Sequence, residues 1–181
     1  MIQSIKKSIV VLLLVTAFTS CNQGPTLQTY YVDNEQKPGF VSFDIPTSLL
    51  NLENAELTDE QKEAYESVDK LNVLTYMEAD TEAADYKLEL EKVKTILKNP
   101  DYEELMRGGN STDGKFVIKY LGDVENIDEL VIFGSANDKG FLIARILGDN
   151  MNAGQLMSLS SVLEKANYDD AQLGKLKEFF K

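Results

Sequence analysis

Cys21 is the one cysteine in this chain of 181 residues, and the thiolate form of cysteine is a strong nucleophile. It closes a segment that begins with the basic residues Lys6 and Lys7 and continues through the unbroken apolar run Ile9–Val15. A basic start, a short apolar run and small residues before a processing point are the pattern of an export signal. A membrane-spanning helix needs roughly twenty apolar residues, and this run is too short for one. The chemistry expected at Cys21 is therefore coupled to export.

The residues Ala17–Cys21 (AFTSC) resemble the bacterial lipobox, in which a lipoprotein signal peptidase cleaves just before a cysteine that carries a diacylglyceryl group. The motif departs from the common pattern at Phe18, where leucine is most frequent. It predicts lipid attachment at Cys21, with acyl chains such as palmitate, and several chains make a stable membrane anchor. Ordinary secretion with a free Cys21 is the alternative. Asn22, in place of an aspartate, favours the outer membrane, with the protein facing the periplasm.

The sequence contains no histidine, and this excludes several kinds of site from the chain. Ser-His-Asp and Cys-His catalytic arrangements need an imidazole, and so does the usual zinc site. No catalytic residue, cofactor site or metal site is predicted. Acidic fragments such as Asp149–Asn152 (DNMN) lack the regular oxygen ligands and the glycine turn of a calcium loop. The pair Gly108–Gly109 lacks the lysine and the following helix of a phosphate loop.

Acidic side chains dominate the composition, with 30 Asp and Glu residues against 18 Lys and Arg residues and a net charge of −12. Removal of a signal containing Lys6 and Lys7 would make the chain more negative still. An acidic surface repels phosphate backbones, so no nucleic-acid partner is predicted. Carboxylates alone can hydrolyse glycosides when two of them are correctly spaced, which keeps a glycosidase-like hydrolase as one alternative function.

The sequence divides into a lipoprotein signal peptide at residues 1–20, a flexible tether at 21–38 and a single domain at 39–181. The tether is polar, contains Gly24, Pro25 and Pro38, and shows no sustained periodicity. Tyr30 and Tyr31 stand out within it. They are expected either to pack against the edge of the domain or to form a docking motif for a partner.

Periodicity within the domain alternates between strand and helix patterns. Strands are predicted at Phe40–Ile45 and Leu71–Met77, separated by a short helix after Thr47 and a helix that starts with the capping box of Thr58 and Gln61. A long amphipathic helix follows over Thr81–Lys98, and its polar side, on which acidic residues alternate with lysines, is expected to be solvated. Four strands then form an antiparallel meander over residues 102–147, and helices begin at Asn152 and near Asp169. The successive apolar residues Val131–Phe133 predict a central strand covered on both faces. The fold class is therefore α+β, a single domain with a mixed, mostly antiparallel sheet and helices packed on it.

Three side chains on these elements leave a choice of roles open. Arg145 interrupts one face of the last strand, where it is expected either to pair with a surface carboxylate or to bind an anionic ligand. Phe179 and Phe180 at the end of the chain either fold back onto the sheet or form an exposed apolar patch.

The lipobox, this order of elements and the segments Tyr102–Met106 (YEELM) and Glu129–Phe133 (ELVIF) together resemble one family. It is the group of small Bacteroidota lipoproteins built on the domain of unknown function 4252, and the resemblance covers roughly residues 40–165. It implies a location in the cell envelope and an α+β fold, and it assigns no functional residue.

A permanent lipid tether, together with the lack of a recognisable group of catalytic residues in the sequence, favours a non-enzymatic binding or interaction module anchored in the envelope. Its expected partners are the membrane, through the lipid at Cys21, and an envelope protein. A structural subunit of an envelope assembly or adhesin is the second alternative, beside the carboxylate-dependent hydrolase.

Overall fold

The computed structural model describes residues 24–47, 57–77, 83–110, 112–136 and 139–163. Cys21, the short helix expected after Thr47 and the last predicted helix with Phe179 and Phe180 lie outside these residues. In the described part of the chain, no helix is both long enough and apolar enough to cross a bilayer.

Six strands form one sheet in which every neighbouring pair is antiparallel. They are β1 (Phe40–Pro46), β2 (Val68–Met77), β3 (Glu103–Asn110), β4 (Gly114–Asp123), β5 (Asn126–Ala136) and β6 (Gly140–Met151). Their order across the sheet is β1-β2-β6-β5-β4-β3, so β3 and β1 lie at the edges. The predicted α+β class and the meander are confirmed, and the strands extend beyond their predicted ends because tight turns continue the ladder.

Among the described residues, four helices accompany the sheet: α1 (Leu27–Asn34), α2 (Asp59–Ser67), α3 (Ala83–Ile96) and α4 (Ala153–Leu163). The predicted capping box of α2 is confirmed, because Thr58 and Gln61 each accept a hydrogen bond from the other's backbone N–H. Asn152 caps α4 as predicted, since its side-chain oxygen accepts hydrogen bonds from the N–H groups of Gly154 and Gln155. The long helix α3 lies within its predicted range.

The prediction of an irregular tether over residues 21–38 is wrong for Leu27–Asn34, which form α1. Thr26 and Thr29 cap this helix reciprocally. An isolated helix of eight residues is unstable in water, and α1 is instead held by the burial of Leu27, Tyr30 and Tyr31. The two tyrosines therefore belong to the core, and the alternative that they form an exposed docking motif is wrong.

Each face of the sheet carries its own core. On the first face, side chains of β2, β5 and β6 pack against α1 and α3, and the rings of Tyr76 and Phe141 stack at 5.4 Å between their centroids. On the second face, Ile118, Leu130 and Met151 pack with Leu156 of α4. Val131 and Phe133 lie in the first core, while Leu130 and Ile132 lie in or against the second. The prediction that this segment is a central strand covered on both faces is confirmed.

We expect Leu74→Ala to lower the free energy of unfolding by about 2–5 kcal/mol, because Leu74 is 0% exposed in β2 and truncation leaves a cavity in the first core. Urea unfolding measures the change. Leu88→Ala is the matched control: Leu88 is 57% exposed on α3, and its truncation should change stability by no more than about 0.5 kcal/mol. Equal losses for the two variants would contradict the assigned burial.

Candidate functional site

An ion pair between Arg145 and Glu129 lies inside the first core. The two residues are diagonal neighbours, because Arg145 of β6 faces Val131 of β5 and Glu129 lies two residues before Val131. Arg145 Nε donates to Glu129 Oε1 at 2.7 Å, and its Nη2 donates to Oε2 at 3.1 Å. Their exposed fractions are only 4% and 6%. A buried charge is tolerated when it is paired and hydrogen-bonded, and both conditions hold here.

Helix α1 closes over this ion pair. Arg145 Nη1 donates to Gln28 Oε1 at 2.9 Å, and the guanidinium lies 5.3 Å from the centre of the Tyr31 ring. The Tyr31 hydroxyl donates to the backbone carbonyls of Ile143 at 2.6 Å and Asn72 at 3.1 Å. Burial raises the pKa of Tyr31 well above its usual range, so the hydroxyl stays protonated and remains a donor.

The structure therefore assigns Arg145 a structural role. The expectation of a carboxylate partner is confirmed, but that partner is the buried Glu129 rather than a surface residue. The guanidinium has its hydrogen bonds directed at Glu129 and Gln28 and is covered by α1. The alternative that Arg145 binds an anionic ligand is wrong for this conformation, because a ligand could reach it only after α1 had moved away.

An open groove of about 1020 Å³ lies on the same face, beside α3. Helix α3 covers the middle of the sheet, and the β3–β4 hairpin extends past it to the sheet edge. One wall of the groove is thus α3, from Tyr86 to Lys98, and the other is the hairpin, with a contribution from β5. Pockets that bind small molecules commonly have volumes of about 300–1,000 Å³, so this groove is at the upper end of that range.

The walls of the groove are strongly cationic. Six of the twelve Lys and Arg residues in the described part of the chain line it, together with a single carboxylate, Glu104. The six are Lys87 and Lys94 on α3, Lys98 just after it, Arg107 on β3, and Lys115 and Lys119 on β4. This concentration is unexpected in a chain whose net charge is −12. The groove is a local positive region in a negative molecule.

Three of these cations have partners and three do not. Lys94 donates to Glu91 at 2.8 Å, Lys119 donates to the carbonyl of Tyr102 at 2.9 Å, and Arg107 is bonded to Glu104 through two nitrogens. These contacts hold the carboxyl pKa values of Glu91 and Glu104 below their usual range. By contrast, the side-chain ammonium groups of Lys87, Lys98 and Lys115 form no hydrogen bond or ion pair with another described residue, although the charge of Lys98 also helps to lower the pKa of Glu91.

The floor between these walls is apolar. Tyr86, Leu97 and Phe133 are buried core residues, and Leu90 and Val117 pack against them from a partly exposed position. Phe116 alternates with Lys115 and Val117 along β4, so its ring, 38% accessible, lies on the opposite face of the hairpin, over Gly108. A Cβ atom at Gly108 would come within 2.6 Å of that ring, so the glycine provides the space that the ring occupies. Apolar floor and cationic walls together can hold a molecule that has both an apolar part and a negative charge.

Carboxylate chemistry has little support from this geometry. Glu104 is the one acidic residue that lines the groove, and a smaller cleft of about 470 Å³ between α1 and α3 is lined by Asp33 and Glu91. A glycosidase needs a general acid whose pKa is raised, whereas the pKa values of Glu91 and Glu104 are lowered by their cationic partners. Among the described residues, no three His, Cys, Asp or Glu side chains are grouped as a metal ion would require.

Sequence reasoning missed this groove, although one signal was present. Lys115, Val117 and Lys119 alternate along β4 and must share one face of the strand. The lysines of α3 were attributed to a solvated helix face on which they alternate with acids. Only the packing of α3 beside β4 brings the two sets together.

One protein-family model matches residues 30–159, and its description is "Domain of unknown function (DUF4252)". The matched region contains all six strands, α2, α3 and most of α1 and α4. No curated protein and no solved structure matches the chain.

We expect Arg145→Met to lower the free energy of unfolding by about 3–5 kcal/mol, because it leaves the Glu129 carboxylate buried without its partner. The double variant Arg145→Met/Glu129→Met should recover most of this loss, since it removes both charges. Urea unfolding of the single and double variants forms the test.

Arg107→Met is the control for this cycle, because it breaks the exposed pair with Glu104 and should lower stability far less than Arg145→Met does. If the double variant lost as much free energy of unfolding as the Arg145→Met and Glu129→Met single variants lost together, the two buried charges would not depend on each other.

Proposed function

The chain belongs to the DUF4252 family, and from this premise we propose that it is a lipid-anchored envelope protein that acts by binding rather than by catalysis. The groove between α3 and the β3–β4 hairpin is its binding surface. The lipid is attached at Cys21, and the protein is held at the outer membrane, facing the periplasm. This proposal keeps the Bacteroidota origin and the lipoprotein character that the sequence pattern predicts.

The observation that supports binding is the groove itself. Six cations gathered around an apolar floor are costly to keep together in one place, because like charges repel one another. Three of them have no partner in the described part of the chain, although the protein has a large excess of carboxylates. A ligand that supplies the missing negative charge accounts for the arrangement. Envelope anchoring is supported separately, by the resemblance of Ala17–Cys21 to a lipobox.

A role as a structural subunit has weaker support. Strand β3 lies at an edge of the sheet and, among the described strands, pairs with β4 alone. An open edge can accept a strand from another protein. However, β3 carries the charged residues Glu103, Glu104 and Arg107, and charges on edge strands are a common means of preventing such pairing.

Cys21→Ser should abolish lipid attachment, because a hydroxyl cannot replace the thiolate as the nucleophile that receives the diacylglyceryl group. In the wild-type protein isolated from its own cells, mass spectrometry should find an acylated N-terminal peptide that begins at Cys21. Ser20→Ala is the control: it keeps a small residue before the cysteine and should leave the acylated peptide unchanged.

The mass of the N-terminal peptide decides this test, because an uncleaved signal could hold the Cys21→Ser variant at the inner membrane by itself. An unmodified wild-type peptide that starts after another residue would refute the anchor. Density separation of the two membranes, followed by protease treatment of intact cells, tests the predicted outer-membrane location facing the periplasm.

A further inference from the structure

We infer that the groove binds a single-chain anionic amphiphile, that is, one acyl chain with a carboxylate or phosphate head group. This inference rests on the proposed binding function and specifies its ligand. It requires a groove with an excess of positive charge, an apolar floor long enough for an acyl chain, and few groups that would suit a more polar ligand.

The positive charge is arranged to meet a head group. Lys98 stands at the end of α3, and Lys115 begins β4 on the opposite wall. Lys94 and Lys98 also complement the negative end of the α3 dipole, which explains part of the lysine content of the helix. The dipole does not explain Lys115 and Lys119, because they belong to a strand. The opposed lysines on two elements favour an anion held between them.

The apolar floor suits a chain rather than a small anion. It extends along α3 from Tyr86 to Leu97, just past the end of the helix, and the ten residue steps from Tyr86 to Ile96 rise by about 15 Å. The hydrocarbon part of one bilayer leaflet is also about 15 Å thick, so a floor of this length can accommodate one acyl chain. Leu90, Leu97 and Val117 supply aliphatic contacts along this length. A phosphate or carboxylate ion alone would leave this apolar surface exposed to water.

A polypeptide is a poorer fit to the same groove. The main chain of α3 is hydrogen-bonded within the helix, and β4 is paired on both of its edges, with β3 and with β5. A peptide lying along the floor would therefore find no main-chain partners for its own N–H and C=O groups, and burying them unpaired is unfavourable. An acyl chain has no such groups.

Photocrosslinking provides the test. The protein as isolated from its cells is mixed with neutral phosphatidylcholine vesicles and one of three diazirine probes: a C16 fatty acid, a lysophosphatidic acid or a C16 alcohol. After illumination, mass spectrometry locates the adducts. Adducts of the two acidic probes should lie on α3 and β4, and the alcohol should label these elements much less. The acidic probe that gives the higher yield of adducts identifies the preferred head group.

Variants of the three unpartnered lysines test the role of charge. Lys87→Gln/Lys98→Gln/Lys115→Gln should lower the yield of groove adducts about tenfold. A loss of this size is expected when three partly exposed ionic contacts with the ligand are removed. Lys62→Gln/Lys70→Gln/Lys139→Gln removes the same charge from lysines that do not line the groove and should leave the yield unchanged. Lys87→Arg/Lys98→Arg/Lys115→Arg keeps the charge and should retain labelling, which separates a lost binding site from a misfolded protein.

Four results would overturn the inference: equal labelling by the alcohol, full competition by inorganic phosphate at the probe concentration, adducts outside α3 and β4, or unchanged yield in the glutamine variant. Crosslinking of an envelope protein through the groove in cells, lost in the glutamine variant and unaffected by the acyl probes, would also overturn it. That last result would leave the proposed binding function intact. The identity of the N-terminal peptide tests the anchor independently of all these outcomes.

Discussion

The buried ion pair between Arg145 and Glu129 is the interaction on which the first face of this protein depends. A charge inside an apolar core is stable only beside its partner, so β5 and β6 must keep the register that places these two side chains diagonally. A shift of either strand by one residue would direct its charge to the other face and separate the pair. The pair also determines where α1 lies, because Gln28 and Tyr31 complete the hydrogen bonds and the cover around the guanidinium. Helix α1 is thereby part of the domain.

The helices on this face cover the sheet incompletely, and the uncovered part forms the groove. Helices α1 and α3 occupy the sheet above β2, β6 and β5, where the aromatic rings and aliphatic side chains of the core are buried. The β3–β4 hairpin extends beyond α3, so Val117 and Leu90 remain only partly covered. On the second face, α2 packs against α4, and Leu156 of α4 packs with Ile118 and Leu130. The groove is therefore the part of the sheet that the helices of the first face do not reach.

Electrostatics separates the two polar features of this face. The charges of Arg145 and Glu129 satisfy each other and are closed off from solvent, so they stabilise one arrangement of the chain without offering a site. The lysines of the groove are solvated and face one another across an apolar floor, so their repulsion is relieved by a counter-charge from outside. In a molecule with an excess of carboxylates, such a region selects against cations and for anionic molecules with an apolar part.

The sequence by itself determined those features that depend on neighbouring residues. The capping box of Thr58 and Gln61, the apolar period of α3, the turns of the meander and the double-sided burial around Ile132 were all predicted, because each follows from local geometry or periodicity. The tertiary structure alone decided the rest. Helix α1 is too short to form without its buried contacts, the partner of Arg145 is sixteen residues distant along the chain, and the groove joins lysines of α3 to lysines of β4. No local pattern contains these contacts, because they arise only when separate elements pack on one face of a sheet.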